Sequence, residues 1–492
     1  MKDIYGILKK YFGYDSFRPG QEKIITSVLG GRDVFAVMPT GAGKSVCYQI
    51  PALAMEGITL VISPLISLMQ DQVRNLKAMG VRGAYLNSSL TPSQIVLATK
   101  NAKKGMYKII YVAPERLNTP AFLDFAMNSD ISMIAIDEAH CISQWGQDFR
   151  PAYLRISEFI AMFEKRPVVA AFTATATKKV KDDIVNKSGL VHPVIYTGGF
   201  DRPNLSFAAE EPIDRLVYVR NYLAAHKNQS GIIYCLTRQE TENAAAVLSS
   251  CGFGVSAYHA GMTDEDRRRV QEDFIYGRVN IITATSAFGM GIDKPDVRFV
   301  IHLNMPARME DYYQQAGRAG RDGERAECIL LYSPADVRIN RFMIEQIPDN
   351  DPMTPEERQE YIRSELDCLQ QMIFYSTSKH TCLRKRILVY FGENAPSHCN
   401  NCSVCRRNVI TVKPAEDVRN YDRALYSKLK AHCRKLSLFG GVPLYTIASE
   451  SMLRDMASLK PKTTAQLRLI SGFGEEKIKR YGKDFINIIN SF

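Results

Sequence analysis

The sequence predicts an α/β fold of two parallel-sheet lobes, followed by a smaller helical region. Two series of short apolar runs alternate with polar, helix-like stretches, which is typical of parallel strands covered by helices on both faces. Beyond about residue 335 the pattern becomes helical and rich in charge. With 492 residues, 46% of them hydrophobic and 23% charged, the chain has room for about three domains and falls outside the disordered class.

The apolar runs have the length and the β-branched or aromatic content of strands. The first series comprises Val34–Met38, Ile58–Ser63, Lys108–Val112, Met133–Ile136 and Val168–Phe172. The second series comprises Gly231–Leu236, Val255–Tyr258, Ile281–Ala284, Phe299–Leu303 and Cys328–Tyr332. The two series meet near residues 198–203, so the predicted lobes divide there.

Charge is distributed unevenly along the chain. Residues 1–381 contain 43 basic and 43 acidic side chains, whereas residues 382–492 contain 20 and 9 and carry the whole net charge of +11. A localised basic excess is typical of proteins that bind polyanions, above all nucleic acid. A basic surface kept for solubility is the alternative. No stretch reaches the roughly 18 apolar residues of a membrane span, and the charged amino terminus lacks a signal-peptide profile, so we expect a soluble, cytoplasmic protein.

A glycine-rich segment, residues 38–45, follows the first predicted strand and opens a helix. Small residues let backbone N–H groups surround phosphates, and the helix end adds its positive dipole. We expect Lys44 to reach the β- and γ-phosphates of a nucleotide and the Ser45 hydroxyl to bind Mg²⁺. The predicted loop residues are Thr40, Gly41, Gly43, Lys44 and Ser45. A purely structural glycine turn is the alternative.

An acidic pair, Asp137 and Glu138, ends the apolar run Met133–Ile136. A carboxylate at the tip of a parallel strand, beside a phosphate loop, is placed to hold Mg²⁺. We expect Asp137 to bind the metal through water and Glu138 to polarise the attacking water. An isolated acidic pair is often a helix N-cap. Combined with the phosphate loop, the pair predicts a nucleoside triphosphatase.

Two arginines, Arg318 and Arg321, lie among small residues in the segment Gln314–Arg321 of the second series. Small residues would let this segment approach the other lobe closely. An arginine that reaches γ-phosphate oxygens stabilises the charge that develops during hydrolysis. Surface arginines on a closely packed helix are the alternative.

Four of the eleven cysteines form one cluster: Cys382, Cys399, Cys402 and Cys405. Their spacing fits four thiolates around one Zn²⁺, and four protein ligands leave no open position, which predicts a structural metal. The nearby His380 and His398 are expected at the surface rather than as ligands. Because the chain is long and its other cysteines are scattered, we expect a reducing compartment rather than a disulfide scaffold.

Together and in this order, these segments resemble helicase superfamily 2 and, in detail, the RecQ family of DNA helicases, with two RecA-like lobes. The segment 12–21 is similar to the family's adenine-recognition segment. That resemblance implies that Tyr14 stacks on the base while Arg18 and Gln21 read it. It also implies that Arg321 is the principal arginine finger, with Arg318 beside it.

Three further segments carry the resemblance. Residues 63–72 are similar to a motif that contacts the DNA strand, and residues 172–176 to one that couples hydrolysis to movement. Residues 283–294 are similar to a motif that contacts both DNA and nucleotide, which implies that Asp293 lies at the nucleotide. The position and spacing of the cysteines also resemble the RecQ zinc module.

The segment Cys141–Pro151, directly after the acidic pair, is the most RecQ-like element and holds the chain's single tryptophan. Aromatic side chains in such a loop offer faces on which any base can stack, and arginine offers a phosphate partner. The predicted DNA-binding residues are Ser143, Gln144, Trp145, Phe149 and Arg150. We expect this loop to sense single-stranded DNA and trigger hydrolysis; a buried core tryptophan is the alternative.

The tail resembles the small helical HRDC domain of RecQ proteins, with a glycine-rich turn at residues 469–477. That turn either binds a DNA phosphate or packs against other helices; the sequence favours neither. The domains predicted are a first RecA-like, ATP-binding lobe at 1–203, a second lobe at 204–340, a helical zinc-binding module at 341–410, a linker at 411–420 and the HRDC-like domain at 421–492. Only about fifteen residues, 406–420, stand where relatives commonly carry a winged-helix domain, so the chain resembles a short, RecS-type member.

The resemblance implies an ATP-dependent DNA helicase that moves 3′ to 5′ on single-stranded DNA in repair or recombination, with ATP, Mg²⁺ and Zn²⁺ as cofactors. Expected partners are single-stranded and forked DNA and a single-stranded-DNA-binding protein, with the chain a nucleoid-associated monomer. One alternative is a translocase or annealing factor that unwinds little. A second is a zinc-containing DNA-binding protein whose ATPase is vestigial.

Overall fold

The computed structural model describes residues 3–87, 89–143, 145, 149–289, 294–346, 354–407 and 421–492. The chain divides into two compact units. The first comprises Met1–Gly199, Asn420–Arg434 and Thr446–Phe492, and the second comprises Phe200–Arg419 and Lys435–Tyr445. None of the helices that the structure describes is long and apolar enough to cross a membrane.

A seven-stranded parallel sheet forms the centre of the first unit. Its strands are β1 (Val34–Val37), β2 (Ile58–Ile62), β3 (Gly83–Leu86), β4 (Ile109–Val112), β5 (Ile131–Ile136), β6 (Val168–Thr173) and β7 (Val194–Thr197). Its helices are α1 (Ile4–Ile7), α2 (Gln21–Leu29), α3 (Lys44–Ala54), α4 (Ile66–Ala78), α5 (Pro92–Lys103), α6 (Pro120–Met127), α7 (Ile156–Ala161) and α8 (Lys178–Lys187). The strand order is β3-β4-β2-β5-β6-β1-β7.

This strand order determines where the loops of the first unit meet. β6 pairs with β1 on one side, Val37 opposite Thr173, and with β5 on the other, Ile136 opposite Ala171. The central strands are buried along their length because helices cover both faces, which accounts for their nearly continuous apolar runs. The loops after β1, β6 and β5 therefore leave the sheet side by side at its carboxyl edge.

A six-stranded parallel sheet forms the centre of the second unit. Its strands are β8 (Leu205–Glu210), β9 (Ser230–Tyr234), β10 (Val255–Tyr258), β11 (Ile281–Ala284), β12 (Val297–His302) and β13 (Ala326–Leu331), in the order β10-β11-β9-β12-β13-β8. Its helices are α9 (Arg215–Ala225), α10 (Arg238–Ser250), α11 (Asp264–Ile275) and α12 (Met309–Ala316).

Helices make up the described part of the chain beyond the second sheet. Those before the tail are α13 (Pro334–Glu345), α14 (Pro355–Ser376), α15 (Leu383–Tyr390) and α16 (Ser403–Arg407). The tail contains α17 (Arg423–Gly440), α18 (Leu444–Ile447), α19 (Glu450–Leu459), α20 (Thr464–Leu467) and α21 (Glu475–Asn490). The long α14 begins with Pro355 at its first position and a capping box in which Thr354 and Glu357 satisfy each other's backbone N–H groups.

The glycine-rich turn of the tail packs against the first lobe. Gly472 has φ of +82° and its N–H donates to the Gly13 carbonyl at 2.8 Å. A Cβ atom on Gly13 would lie 2.6 Å from the Gly472 carbonyl carbon, so both positions require glycine. Of the two alternatives for this turn, the structure favours packing over phosphate binding, since the Gly472 N–H is already used.

The ten strands predicted from the sequence are present, with ends displaced by no more than two residues. Three further strands, β3, β7 and β8, were not predicted. Each lies at the edge of its sheet and is partly exposed, so its sequence lacks the continuous apolar run of a central strand. Of the described residues, 335–395 are mainly helical as expected.

His302 at the end of β12 makes the stability of the second unit depend on pH. Burial lowers the pKa of its imidazole from 6.5 to about 4, although a 2.9 Å hydrogen bond between Nε2 and Gln315 Oε1 opposes the shift. The unfolded chain therefore binds a proton that the folded unit excludes. We therefore expect the contribution of His302 to stability to be complete above about pH 6.5 and to fall by about 3 kcal/mol as the pH drops towards 4.

Urea unfolding of the wild type and of His302→Gln, at several pH values across this window, measures the effect. We expect the variant to be less stable at neutral pH, because the site is tightly packed, but to lose less stability on acidification. His380→Gln, at an exposed position, is the control and should follow the wild type. Equal pH dependence in all three proteins would contradict the assignment.

Candidate functional site

The phosphate loop connects β1 to α3 and depends on two left-handed glycines. Gly41 and Gly43 have φ of +86° and +84°, a region that other residues rarely adopt. A Cβ atom on Gly43 would lie 2.4 Å from Gln21 Nε2, so the close approach also requires glycine. The structure places Thr40 in the same turn and Lys44 and Ser45 at the first two positions of α3, as the sequence predicted.

The side chains of Gln21 and Arg18 donate hydrogen bonds to carbonyl groups of this loop. The Gln21 side chain is buried, and its Nε2 donates to the carbonyls of Ala42 at 3.2 Å and Gly43 at 3.1 Å. Its Oε1 accepts the Arg18 backbone N–H at 2.9 Å, and the Arg18 guanidinium donates to the Gly41 carbonyl. These contacts give both residues a role in shaping the phosphate loop. Their reading of adenine, and the stacking of the partly exposed Tyr14, stay predictions.

The acidic pair follows β5 at the carboxyl edge of the sheet. Asp137 is buried, and its Oδ1 accepts the Glu138 N–H at 3.0 Å. Burial, and then the neighbouring Glu138 carboxylate, raise the pKa of Asp137 to about 7, while Lys44 opposes the shift. One buried and one partly buried carboxylate beside a lysine make a site that a cation would stabilise. Oxygen donors from Asp137 and Ser45 are the ligands that Mg²⁺ prefers, so the residues fit that metal.

Glu138 adopts an unusual backbone conformation. Its φ of +48° lies in the left-handed region, which costs a residue with a side chain about 1–3 kcal/mol. Such strain persists where surrounding contacts enforce it, and it is concentrated at functional sites. The Glu138 carboxylate lies beside His140, whose Nδ1 is 3.3 Å from Glu138 Oε2.

His140 joins the acidic pair to the end of β6. Its Nδ1 lies 3.0 Å from Thr173 Oγ1, and that hydroxyl donates to the Thr175 carbonyl at 3.0 Å. The hydroxyl proton is thereby used, so Nδ1–H must be the donor to Thr173. Burial disfavours a charge on this ring, but hydrogen bonds with Cys141 and Glu138 outweigh it and raise the pKa of His140. The contact links the predicted catalytic pair to residues 172–176.

A buried polar network lies beneath the phosphate loop. The Tyr48 and Tyr111 hydroxyls are 3.3 Å apart, and the Gln49 amide donates to Tyr111 at 3.3 Å and to Gln72 Oε1 at 3.1 Å. Burial raises the pKa of Tyr48, and a side-chain interaction with Ser45 opposes that shift. The network therefore runs from Tyr48, near the predicted Mg²⁺ ligand Ser45, to Gln72 in the segment 63–72, which resembles a motif that contacts DNA. The network was not predicted, because nothing in the spacing of these residues indicates that they meet.

The aromatic loop continues directly from the acidic pair through a single 3₁₀ turn, Ala139–Ile142. Ser143 is buried and its hydroxyl donates to Asp183 Oδ2 on α8 at 2.6 Å. Trp145 is half-buried in a turn and Phe149 is exposed, so the structure does not bury this tryptophan in the core. Arg150 donates to the Pro64 carbonyl at 3.0 Å. Gln144 lies outside the described residues.

In the second unit the two predicted arginines follow α12. Arg318 is buried and donates to the Gly289 carbonyl, and Arg321 is partly exposed. Residues 317–320 are held from below by Arg202, which donates to the carbonyls of Gly317, Ala319 and Gly320 at 2.6–2.9 Å. The role of Arg202 was not predicted, since its partners lie more than a hundred positions away in the sequence. Asp293, predicted at the nucleotide, lies outside the described residues.

The four cysteine sulfurs converge as predicted. All lie within 4.8 Å of one another, and those of Cys382 and Cys402 are 3.9 Å apart. A tetrahedron with Zn–S bonds of about 2.3 Å has sulfur–sulfur edges of about 3.8 Å, so the cluster fits one zinc ion. Backbone N–H groups of Asn401 and Cys405 point at the sulfurs of Cys399 and Cys402, both at 3.4 Å. His380 and His398 are exposed and stand outside the cluster.

The zinc cluster is joined to the arginine segment by α15. Arg384, two residues after Cys382, donates to Asp201 Oδ1 at 2.6 Å and to the Arg202 carbonyl at 2.7 Å. Phe391 stacks on Phe200 with ring centroids 4.6 Å apart. The metal-binding module therefore holds the same short segment, 200–205, from which Arg202 supports residues 317–320.

Four family models match consecutive parts of the chain. They are the DEAD/DEAH box helicase at residues 18–183, the helicase conserved C-terminal domain at 214–323, RecQ zinc-binding at 334–406 and the HRDC domain at 422–489. The chain is also 39% identical over 483 residues to the ATP-dependent DNA helicase RecQ of Pasteurella multocida, covering 98% of this chain and 72% of that one. The chain belongs to the RecQ family.

Other RecQ proteins match over a smaller share of their length. Those of Bacillus subtilis and Haemophilus influenzae are 43% and 44% identical, each over 81% of this chain, which spans 66% and 63% of their length. Solved structures share the fold at low identity. The DEAD-box helicase Mss116 bound to ssRNA has a TM-score of 0.58 at 17% identity and covers 80% of this chain and 89% of its own.

Loss of the metal should weaken the second unit of this RecQ-family chain. We expect the purified protein to hold about one zinc ion, and Cys402→Ser to lose most of it and to melt several degrees lower, because the fourth thiolate closes the tetrahedron. Zinc content by atomic absorption, together with thermal unfolding, measures both. Cys251→Ser, at an exposed cysteine outside the cluster, should leave both unchanged. Full zinc content in Cys402→Ser would contradict the ligand set.

Proposed function

We propose that this RecQ-family chain is an ATP-dependent DNA helicase that moves 3′ to 5′ along single-stranded DNA, in repair or recombination. The observation that carries the proposal is the meeting of three loops at adjacent strand ends. The phosphate loop after β1, Thr173 at the end of β6 and the acidic pair after β5 lie at one edge, and the aromatic loop continues from the same pair. Relatives from two bacteria that carry the name ATP-dependent DNA helicase RecQ support the proposal.

In the proposed reaction, the phosphate loop binds the triphosphate through its backbone N–H groups, and Lys44 neutralises the β- and γ-phosphates. Ser45 and Asp137 would hold Mg²⁺, which supplies positive charge to the phosphate oxygens. Glu138 orients the water that attacks the γ-phosphorus, and its carboxylate Oε2 lies 3.3 Å from His140 Nδ1. His140 passes a change in the position of Glu138 to Thr173 through one hydrogen bond.

The arginines complete the site in this proposal. Arg321 is the arginine finger that stabilises charge on the γ-phosphate, which makes hydrolysis depend on closure of the two lobes. Arg318, buried and bonded to Gly289, supports it rather than reaching the nucleotide. Arg202 keeps the segment 317–320 in shape from below.

The DNA half of the proposal rests on the aromatic loop. Trp145 and Phe149 offer ring faces to bases, and Arg150 offers a charge to a phosphate. The 3₁₀ turn Ala139–Ile142 connects these residues to Glu138 over a few residues, so a shift of the loop on DNA would move the catalytic carboxylate. Single-stranded and forked DNA are the proposed partners, with a single-stranded-DNA-binding protein as a further one, and the proposed state is a monomer.

A second candidate is an ATP-driven translocase that unwinds little. It is favoured by the short segment 407–421 that separates the matched zinc-binding and HRDC regions, since fifteen residues cannot form a winged-helix domain. In that case the wedge that opens a duplex would come from another protein.

ATP turnover with and without single-stranded DNA, measured beside displacement of a strand from a 3′-tailed duplex, tests the proposal. We expect DNA to stimulate turnover at least tenfold and displacement to require the 3′ tail, with a 5′-tailed duplex left intact. Stimulated turnover without displacement favours the translocase. If the rate of ATP turnover is the same with and without DNA, both the helicase and the translocase are contradicted.

Substitution of Lys44 tests the catalytic assignment separately. Lys44→Ala should lower ATP turnover by about 100-fold or more, because the charge on the transferred phosphate loses its main partner. Lys23→Ala, at an exposed lysine of α2, is the matched control and should turn over ATP like the wild type. Equal turnover in the two variants would show that the phosphate loop is not the catalytic site.

A further inference from the structure

The aromatic loop is tied to α8 by two contacts. The Ser143 hydroxyl donates to Asp183 Oδ2 at 2.6 Å. The Ser143 hydroxyl oxygen also accepts a hydrogen bond from the backbone N–H of Trp145 at 3.2 Å. The Lys179 ammonium lies over the Trp145 ring, 3.2 Å from its centroid. The first contact fixes the base of the loop, and the second covers one face of its tryptophan.

Lys179 stands at an unfavourable place for a cation. It is the second residue of α8, where the partial positive charge of the helix end disfavours a lysine. The electron-rich face of an indole ring attracts an ammonium, so the contact with Trp145 offsets part of that repulsion. Lys178, the preceding residue, shares the helix end and is likewise exposed, which makes it a matched comparison.

A base that stacks on Trp145 needs a ring face. The face beneath Lys179 is already occupied, because an ammonium at 3.2 Å leaves no space for a second planar group. Binding of a base on that side must therefore move the lysine. The displaced ammonium stays on an exposed, flexible side chain next to the DNA strand. There a phosphate of the DNA can replace the indole ring as its partner.

We propose that Lys179 is a positioning residue that covers one face of the Trp145 ring and is displaced when a base stacks on that face. Its function is to keep ATP turnover low until single-stranded DNA arrives, since movement of the aromatic loop is what reaches Glu138. This inference rests on the proposed DNA contact of Trp145. It adds a residue outside the loop that sets how strongly hydrolysis depends on DNA.

The fluorescence of Trp145 tests the contact directly, because it is the chain's only tryptophan and all indole emission comes from it. We expect Lys179→Met to shift the emission of the DNA-free protein and to raise its quenching by acrylamide about twofold, since the covered face becomes accessible. Lys179→Arg keeps a cation over the ring and should resemble the wild type, as should Lys178→Met. Melting temperatures of all variants check that they fold.

ATP turnover of the same proteins, with and without an oligothymidylate of about 20 nucleotides, tests the coupling. We expect Lys179→Met to raise turnover without DNA and to lower the ratio of stimulated to basal turnover at least threefold. An emission spectrum unchanged in Lys179→Met would overturn the contact, and an unchanged ratio would overturn its role. If the emission of the wild type does not respond to the oligonucleotide, Trp145 is not a DNA contact and the inference is wrong. ATP turnover stimulated by DNA would, in that case, still support the proposed DNA-dependent ATPase.

Discussion

The parallel pairing of β5, β6 and β1 is the constraint on which the site depends. Parallel strands end at the same edge, so the loops that follow these three strands must meet there. That edge collects a phosphate loop, a threonine and two carboxylates from positions spread over more than 130 residues of chain. The register pairs Val37 with Thr173 and Ile136 with Ala171, so it also sets the spacing of the groups that follow these strands.

The second consequence of this arrangement is electrostatic. Asp137 and Glu138 place two carboxylates in a buried site, where each raises the cost of charging the other. Lys44 offsets part of that cost, and a nucleotide with its cation would supply the rest. The site is thus poised to gain most from binding when metal and triphosphate arrive together. His140 and Ser143 then connect this charged centre to neighbouring elements through single hydrogen bonds.

The sequence allowed the central strands, the phosphate loop, the acidic pair and the cysteine cluster to be predicted, because each depends on residues close together in the chain. Edge strands such as β8 were not predicted, because half-exposed strands lack a continuous apolar run. The supporting residues Arg202 and Arg384 were not predicted for another reason. Both donate to backbone carbonyl groups far away in the sequence, and the sequence does not indicate which carbonyl group accepts a hydrogen bond. Gln21 was found as a nucleotide residue, but its contacts with the phosphate loop were not foreseen.

In the proposed mechanism, the nucleotide site and the aromatic loop are coupled through the end of β5. The most direct test is the equilibrium affinity of a fluorescent, non-hydrolysable ATP analogue, measured with and without saturating oligothymidylate, together with the reciprocal titration. Coupling requires both affinities to change by the same factor, which we expect to be about fivefold or more. Affinities that do not change in either titration would contradict the coupling between the nucleotide site and the aromatic loop.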